Sequence, residues 1–236
     1  MKKLFIVANW KANKTSHEAV QWLQKFQISN VQYQISNKEV IVCPPFTLLP
    51  FLKSYLLNHK SGLKLGAQDV SPFPKGAYTG AVAAEHLTEF VSYAIVGHSE
   101  RRKYFHETDD DVIAKTERLL ESNITPILCV SDMKQMEYFL LKGEVIVKHA
   151  SDVIFVYEPP SAISGGGVYR PEDPLTVDKN AAEISQKIGK RVSILYGGSI
   201  NPQNYASFFR LENIDGGLVG QASLDPVAFS RIITNT

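Results

Sequence analysis

The chain has 236 residues, 44% of them apolar and 21% charged, which supplies a large packed core and excludes a disordered polymer. Its 25 Lys and Arg nearly balance 24 Asp and Glu, leaving a formal charge of +1. No whole-chain field therefore draws it to nucleic acid or to an anionic membrane, and any anion site must be local.

At the N-terminus, Met1-Lys2-Lys3 followed by the apolar residues 4–8 imitates the start of a signal peptide, but Asn9 and Lys11 cut the run short. No run approaches the ~18 residues of a membrane span, and the expectation is a soluble, cytoplasmic protein. The two cysteines, Cys43 and Cys129, each lie inside an apolar run and not in a C-x-x-C pair. That pattern suggests buried, reduced thiols, with neither a disulfide framework nor a zinc site.

Short β-branched apolar runs predict eight strands, at 4–8, 40–43, 63–67, 93–96, 125–130, 153–157, 193–196 and 214–219. Between them lie segments of helical period: Val20, Leu23, Phe26 and Ile28 after the first strand, Val112, Ile113, Leu119 and Leu120 after the fourth. Thr15-x-x-Glu18 reads as a capping box, and Asn201-Pro202 and Asp225-Pro226 read as capped helix starts. Eight strands each followed by a helix, with no linker to divide 1–236, predict a single (β/α)8-barrel domain of parallel strands. Periodicity alone leaves an open doubly wound sheet as the alternative.

A barrel gathers its C-terminal strand ends around one mouth, where catalytic groups sit. The polar residues there are Asn9 and Lys11, Gln68 and Asp69, His98 to Arg101, Glu158, Gly197-Gly198-Ser199, and Gly220-Gln221. Singly each has an ordinary explanation. A carboxylate, an imidazole, an ammonium and two glycine-rich turns facing one mouth predict an active site.

The motifs Asn9-Trp10-Lys11, Gly97-His98-Ser99-Glu100-Arg101-Arg102, Tyr157-Glu158-Pro159, Tyr196-Gly197-Gly198-Ser199 and Leu218-Val219-Gly220 resemble those of the triosephosphate isomerase family, in its order and approximate spacing. Gly66-Ala67-Gln68-Asp69 and the later Lys75 to Gly80 resemble it too, so the likeness spans the chain. It implies a TIM barrel and the interconversion of dihydroxyacetone phosphate and D-glyceraldehyde 3-phosphate through an enediol(ate), a step of glycolysis and gluconeogenesis. The family's known roles would fall on Glu158 as base and on His98 as a neutral electrophile whose pKa is lowered by the helix opening at Ser99. Lys11, Asn9 and Glu100 would support them, Ile163 and Leu218 would clamp the base, and Ser164, Ser199, Gly220 and Gln221 would hold the phosphate with backbone N–H groups. No metal or organic cofactor is implied, because the substrate's own carbonyl serves as the electron sink. Other possibilities are another phosphosugar-processing barrel enzyme and a catalytically silent barrel that binds a partner.

Three departures from the family stand out. Residues 164–167 read Ser-Gly-Gly-Gly where the family usually has Gly-Thr-Gly-Lys, and three glycines should raise the entropy cost of closing that loop by ~0.5–1 kcal/mol each at most. The expected effect is weaker binding of a transition-state mimic or a lower turnover number. Ser131-Asp132 stands where Gly-Glu is usual, ahead of a trimmed fifth helical region. The Pro- and Gly-rich 69–80 loop, with Phe73 and Tyr78, implies by resemblance a homodimer in which Thr79 approaches Asn9 and Lys11 of the partner subunit. Ala81 stands where a glutamate commonly pairs with the partner's arginine, here Arg101, so a weakened dimer is expected.

Overall fold

The computed structural model describes residues 2–28, 37–163 and 170–234. Its strands are β1 (Leu4–Asn9), β2 (Lys38–Cys43), β3 (Lys64–Ala67), β4 (Tyr93–Val96), β5 (Thr125–Val130), β6 (Ile154–Tyr157), β7 (Ser193–Tyr196) and β8 (Gly216–Val219). They close into a barrel in chain order, every neighbouring pair parallel, with β8 returning to β1. The open-sheet alternative is thereby removed.

Because both faces of each strand are covered, the strand interiors are apolar runs and not alternating, with polar residues confined to their ends. Ile6, Ala8, Val40 and Val42 point outward and pack with helix residues such as Trp22, Leu23, Leu49 and Leu52. Val7, Ile41, Cys43, Ile95, Ile127, Cys129, Val156, Leu195 and Leu218 fill the interior as a separate cluster.

The strand limits differ from the sequence expectation where polarity or backbone geometry intervenes. β2 begins two residues early because Lys38 and Glu39 pair with Leu4 and Phe5 despite their charge. β8 begins two residues late, at Gly216, which pairs with Phe5 at φ +128°; just before it, Asp215 O still accepts from Phe5 N.

The helices are α1 (Ser16–Ile28), α2 (Leu49–Asn58), α3 (Ala84–Leu87), α4 (Ser99–Phe105), α5 (Asp109–Glu121), α6 (Met133–Lys142), α7 (Glu144–Lys148), α8 (Pro174–Ile188), α9 (Tyr205–Phe209) and α10 (Pro226–Thr234). One helix per strand was expected, yet β4 and β5 are each followed by two. His106, at φ +54°, ends α4, and a Thr108–Asp111 capping box restarts the chain as α5. Gly143 separates α6 from α7, and Asp132 caps α6 by accepting from Gln135 N at 2.8 Å.

Two of the three sequence-read caps form. Glu18 accepts from Thr15 N at 2.7 Å, and Asp225 accepts from Ala228 N at 2.7 Å. The expected helix start at Asn201-Pro202 does not form: Asn201 accepts from the amides of Gln203 and Asn204 in a turn, and the α-helix starts at Tyr205 with Asn204 as its N-cap residue. On α1, Leu23 and Phe26 are buried, while the side chain of Ile28 lies outside the described residues. Among the described residues, no helix is long and apolar enough to cross a membrane.

Candidate active site

Each polar residue singled out at a strand end lies at the C-terminal mouth of the barrel. Asn9, Lys11, His98, Glu158, Ile163, Gly197, Gly198, Ser199, Leu218, Gly220 and Gln221 line one cavity there, together with Ile200. Glu100 lies beside it through Lys11. Ser164 and the glycines at 165–167 lie outside the described residues.

Lys11 sits in an unusual backbone conformation for a side-chain-bearing residue, with φ +52°. Its two peptide units are held from both sides. Asn9 Oδ1 accepts from Lys11 N at 3.0 Å, and Gln68 Nε2 donates to Lys11 O at 2.9 Å and to Cys43 O at 2.8 Å. The left-handed turn aims the ammonium along the mouth, where Nζ meets Glu100 Oε1 at 2.5 Å. A Cβ on Gly220 would stand 3.3 Å from Lys11 Cε, so glycine there leaves the lysine its path.

His98 follows Gly97, whose φ of +72° turns the chain out of β4, and it forms the N-cap of α4. Nδ1 accepts from Glu100 N at 3.2 Å, which assigns the neutral tautomer with its proton on Nε2. That nitrogen lies 3.0 Å from Glu158 Oε1. The approach is close but poorly aligned, and Oε1 has no well-directed hydrogen-bond donor among the described residues.

Glu158 continues β6, donating its amide to Val130 O at 2.8 Å, and it is 1% exposed. Its other oxygen, Oε2, accepts from Ser99 N at 2.9 Å, in the first turn of α4. The wall around it comes from β5 to β8. Gly197 belongs to that wall because a Cβ there would meet Val156 Cγ1 at 2.6 Å and Glu158 Cβ at 3.2 Å. Leu218 is buried and Ile163 half-buried on the rim.

The expected lowering of the His98 pKa does not hold in this state. Burial, the largest influence, pushes it down from 6.5, but the Glu158 carboxylate at Nε2, helped by Glu100, outweighs burial and the net direction is up. The helix opening at Ser99 is present, yet its amide is spent on Glu158.

On the phosphate side, the Ser199 hydroxyl is committed to Ala162 O at 2.8 Å and its carbonyl to Asn204 Nδ2. What Ser199 offers a ligand is therefore its amide. The Cys129 thiol is buried with the Glu158 carboxylate nearby, and burial first and that charge second hold its pKa well up. Cys129, Gln68 and the Ser99 amide had no role in the sequence reading. Gln68 was visible as a strand-end polar residue, but nothing in the sequence marks the positive φ of Lys11 that it braces.

Beside the site, Phe73 and Tyr78 stack at 4.5 Å on the exposed 69–80 loop. Arg101 does not stand bare for want of a glutamate at position 81. It pairs within the chain with Asp69 Oδ2 at 2.9 Å and Glu107 Oε1 at 3.0 Å, and Lys115 pairs with both of those acids. Among the described residues, no group of three or more His, Cys, Asp or Glu is placed to hold a metal ion.

A closed parallel barrel with a buried carboxylate against an imidazole at its C-terminal mouth is the architecture of a (β/α)8-barrel enzyme. A model of the triosephosphate isomerase family matches residues 4–236. The chain is 38% identical to the triosephosphate isomerase of Thermus thermophilus, over 99% of this chain and 98% of that one. It is 38% identical to that of Aquifex aeolicus, over 99% of each, and 37% identical to that of Endomicrobium trichonymphae, over 99% and 98%. The chain belongs to the triosephosphate isomerase family.

Proposed function

We propose that this chain interconverts dihydroxyacetone phosphate and D-glyceraldehyde 3-phosphate by proton transfer through an enediol(ate), the family's step in glycolysis and gluconeogenesis, with Glu158 as base and His98 as electrophile. One observation carries the reading: the Glu158 carboxylate is almost fully buried and lies 3.0 Å from the imidazole Nε2. A buried carboxylate can take a proton from the carbon beside a carbonyl and return it to the next carbon. The charge that grows on the carbonyl oxygen needs donors already in place, and the Nε2 proton of His98 and the Lys11 ammonium supply them. Asn9 fixes the lysine backbone, and Glu100 balances its charge.

Base and electrophile touch each other here, so a substrate between them must part them. Once Glu158 moves towards the substrate carbon, the main influence raising the His98 pKa leaves with it. Burial and Lys11, both lowering, then favour the neutral imidazole. A neutral imidazole can pass a proton between the two oxygens of an enediolate, the role known for this family. Ile163 and Leu218 would exclude water from the carboxylate, while amides at Ser199, Gly220 and Gln221 bind the phosphate and Ser164 completes the cup on the family pattern. We further propose a cytoplasmic homodimer joined through the 69–80 loop, whose exposed Phe73–Tyr78 stack supplies apolar surface for a second copy.

A coupled assay with glyceraldehyde 3-phosphate on the native protein and on Glu158→Asp tests the base. Shortening the side chain by one methylene moves the carboxylate by about 1 Å and should lower kcat about a hundredfold or more. Equal rates would remove Glu158 from the role.

A further inference from the structure

The backbone at Gly220 and Gln221 runs into a 3-10 turn, Gln221–Leu224, whose fixed shape sets where their amides point. The turn is tied internally by Ser223, whose amide and hydroxyl both donate to Gly220 O, at 2.9 and 2.7 Å. Its two closing carbonyls are held from another part of the chain. The indole N–H of Trp22, on α1, donates to Ser223 O at 3.0 Å in a buried contact, and Lys14 Nζ donates to Leu224 O at 2.9 Å.

The residues that make these tethers are themselves fixed to the loop that carries Lys11. Trp22 meets Trp10 edge-to-face with ring centroids 5.0 Å apart, and Lys14 Nζ lies 5.3 Å over the Trp10 ring. Lys14 is held at φ +74°, a conformation that turns its side chain back over the loop. The loop after β1 and the turn after β8 are thus joined through α1, with the cavity between Lys11 and Gln221.

We infer that Trp22 and Lys14 are positioning residues that hold the Gly220–Gln221 backbone in register for the substrate's phosphate. The inference rests on the phosphate reading of this turn given above. Neither side chain lines the cavity, so each acts through the turn and not on the ligand. Loss of either tether frees a carbonyl at the closed end of the turn and lets the amides at its open end drift.

The test compares glyceraldehyde 3-phosphate with unphosphorylated glyceraldehyde on the native protein, Trp22→Phe and Lys14→Met. Trp22→Phe keeps an aromatic ring but no donor; Lys14→Met keeps the length but no donor, at a half-buried site that folding tolerates better. For each variant, kcat/KM for the phosphorylated substrate should fall roughly tenfold, mainly through KM, as befits one lost hydrogen bond to a buried carbonyl. Inhibition by inorganic phosphate should weaken by the same factor, while kcat/KM for glyceraldehyde stays within about twofold. If both substrates lose equally, or if neither changes, the tethers do no phosphate-specific work and the inference is overturned. If the native protein shows no preference for the phosphorylated substrate, the phosphate reading fails first, and the two failures are told apart.

Discussion

His98 sits between two carboxylates and a lysine, and its proton is decided by which of them is nearest. With Glu158 at 3.0 Å the pKa is driven up, while burial and Lys11 drive it down. Removing the charge at 158 should therefore reverse the direction. NMR titration of the His98 ring should place its pKa above the ordinary 6.5 in the unliganded native protein and lower in Glu158→Gln. An unchanged value in the variant would show that the carboxylate is not what raises it. The sign carries over to stability: a folded pKa above 6.5 makes the pair's contribution complete below that pH and lost as pH rises through the folded value. At this scale the sequence placed both residues at one mouth but did not show how they meet. His98 and Glu158 are sixty positions apart, and their contact depends on α4 starting at Ser99, one residue after the imidazole.

Among the elements, β8 shows where sequence patterning stops being sufficient. The apolar pattern extends the strand back to 214, and hydrogen bonds at Asp215 do continue it. Gly216 nevertheless adopts φ +128°, and a Cβ there would collide with the backbone carbonyl of Phe5 on β1. Gly216→Ala combines a forbidden backbone angle with a clash that no rotamer relieves, and should destabilise the fold by about 3 kcal/mol. Urea unfolding followed by circular dichroism would check it, and a midpoint equal to the native one would contradict the geometry. Strands such as 93–96, 125–130 and 193–196 were legible to the residue, because burial on both faces leaves a short, nearly continuous apolar run. Lys38 and Glu39 were missed for the converse reason: they pair in the ladder while reading as loop. The extra helices after β4 and β5 were missed because they turn on single residues, His106 and Gly143.

For the molecule as a whole, barrel closure gathers residues from both chain ends at one mouth, and likeness to the family over 99% of the chain agrees with that order of motifs. A homodimer through the 69–80 loop needs no ion pair at position 81, since Arg101 is already satisfied by Asp69 and Glu107. Sedimentation equilibrium should give twice the 26.3 kDa chain mass for the native protein. Tyr78→Asp, which places a charge in the exposed stack, should shift it to monomer; a native monomer would refute the assembly.

The account turns on a proton that leaves carbon for Glu158 and can exchange with water before it returns. Isomerisation of dihydroxyacetone phosphate in D2O, with the product examined by NMR, tests this most directly. Deuterium at C2 of the glyceraldehyde 3-phosphate formed, at a rate lost in Glu158→Gln, is the result expected. Product free of solvent deuterium, formed equally fast by Glu158→Gln, would mean that the hydrogen moves directly between carbons and that Glu158 is not the base.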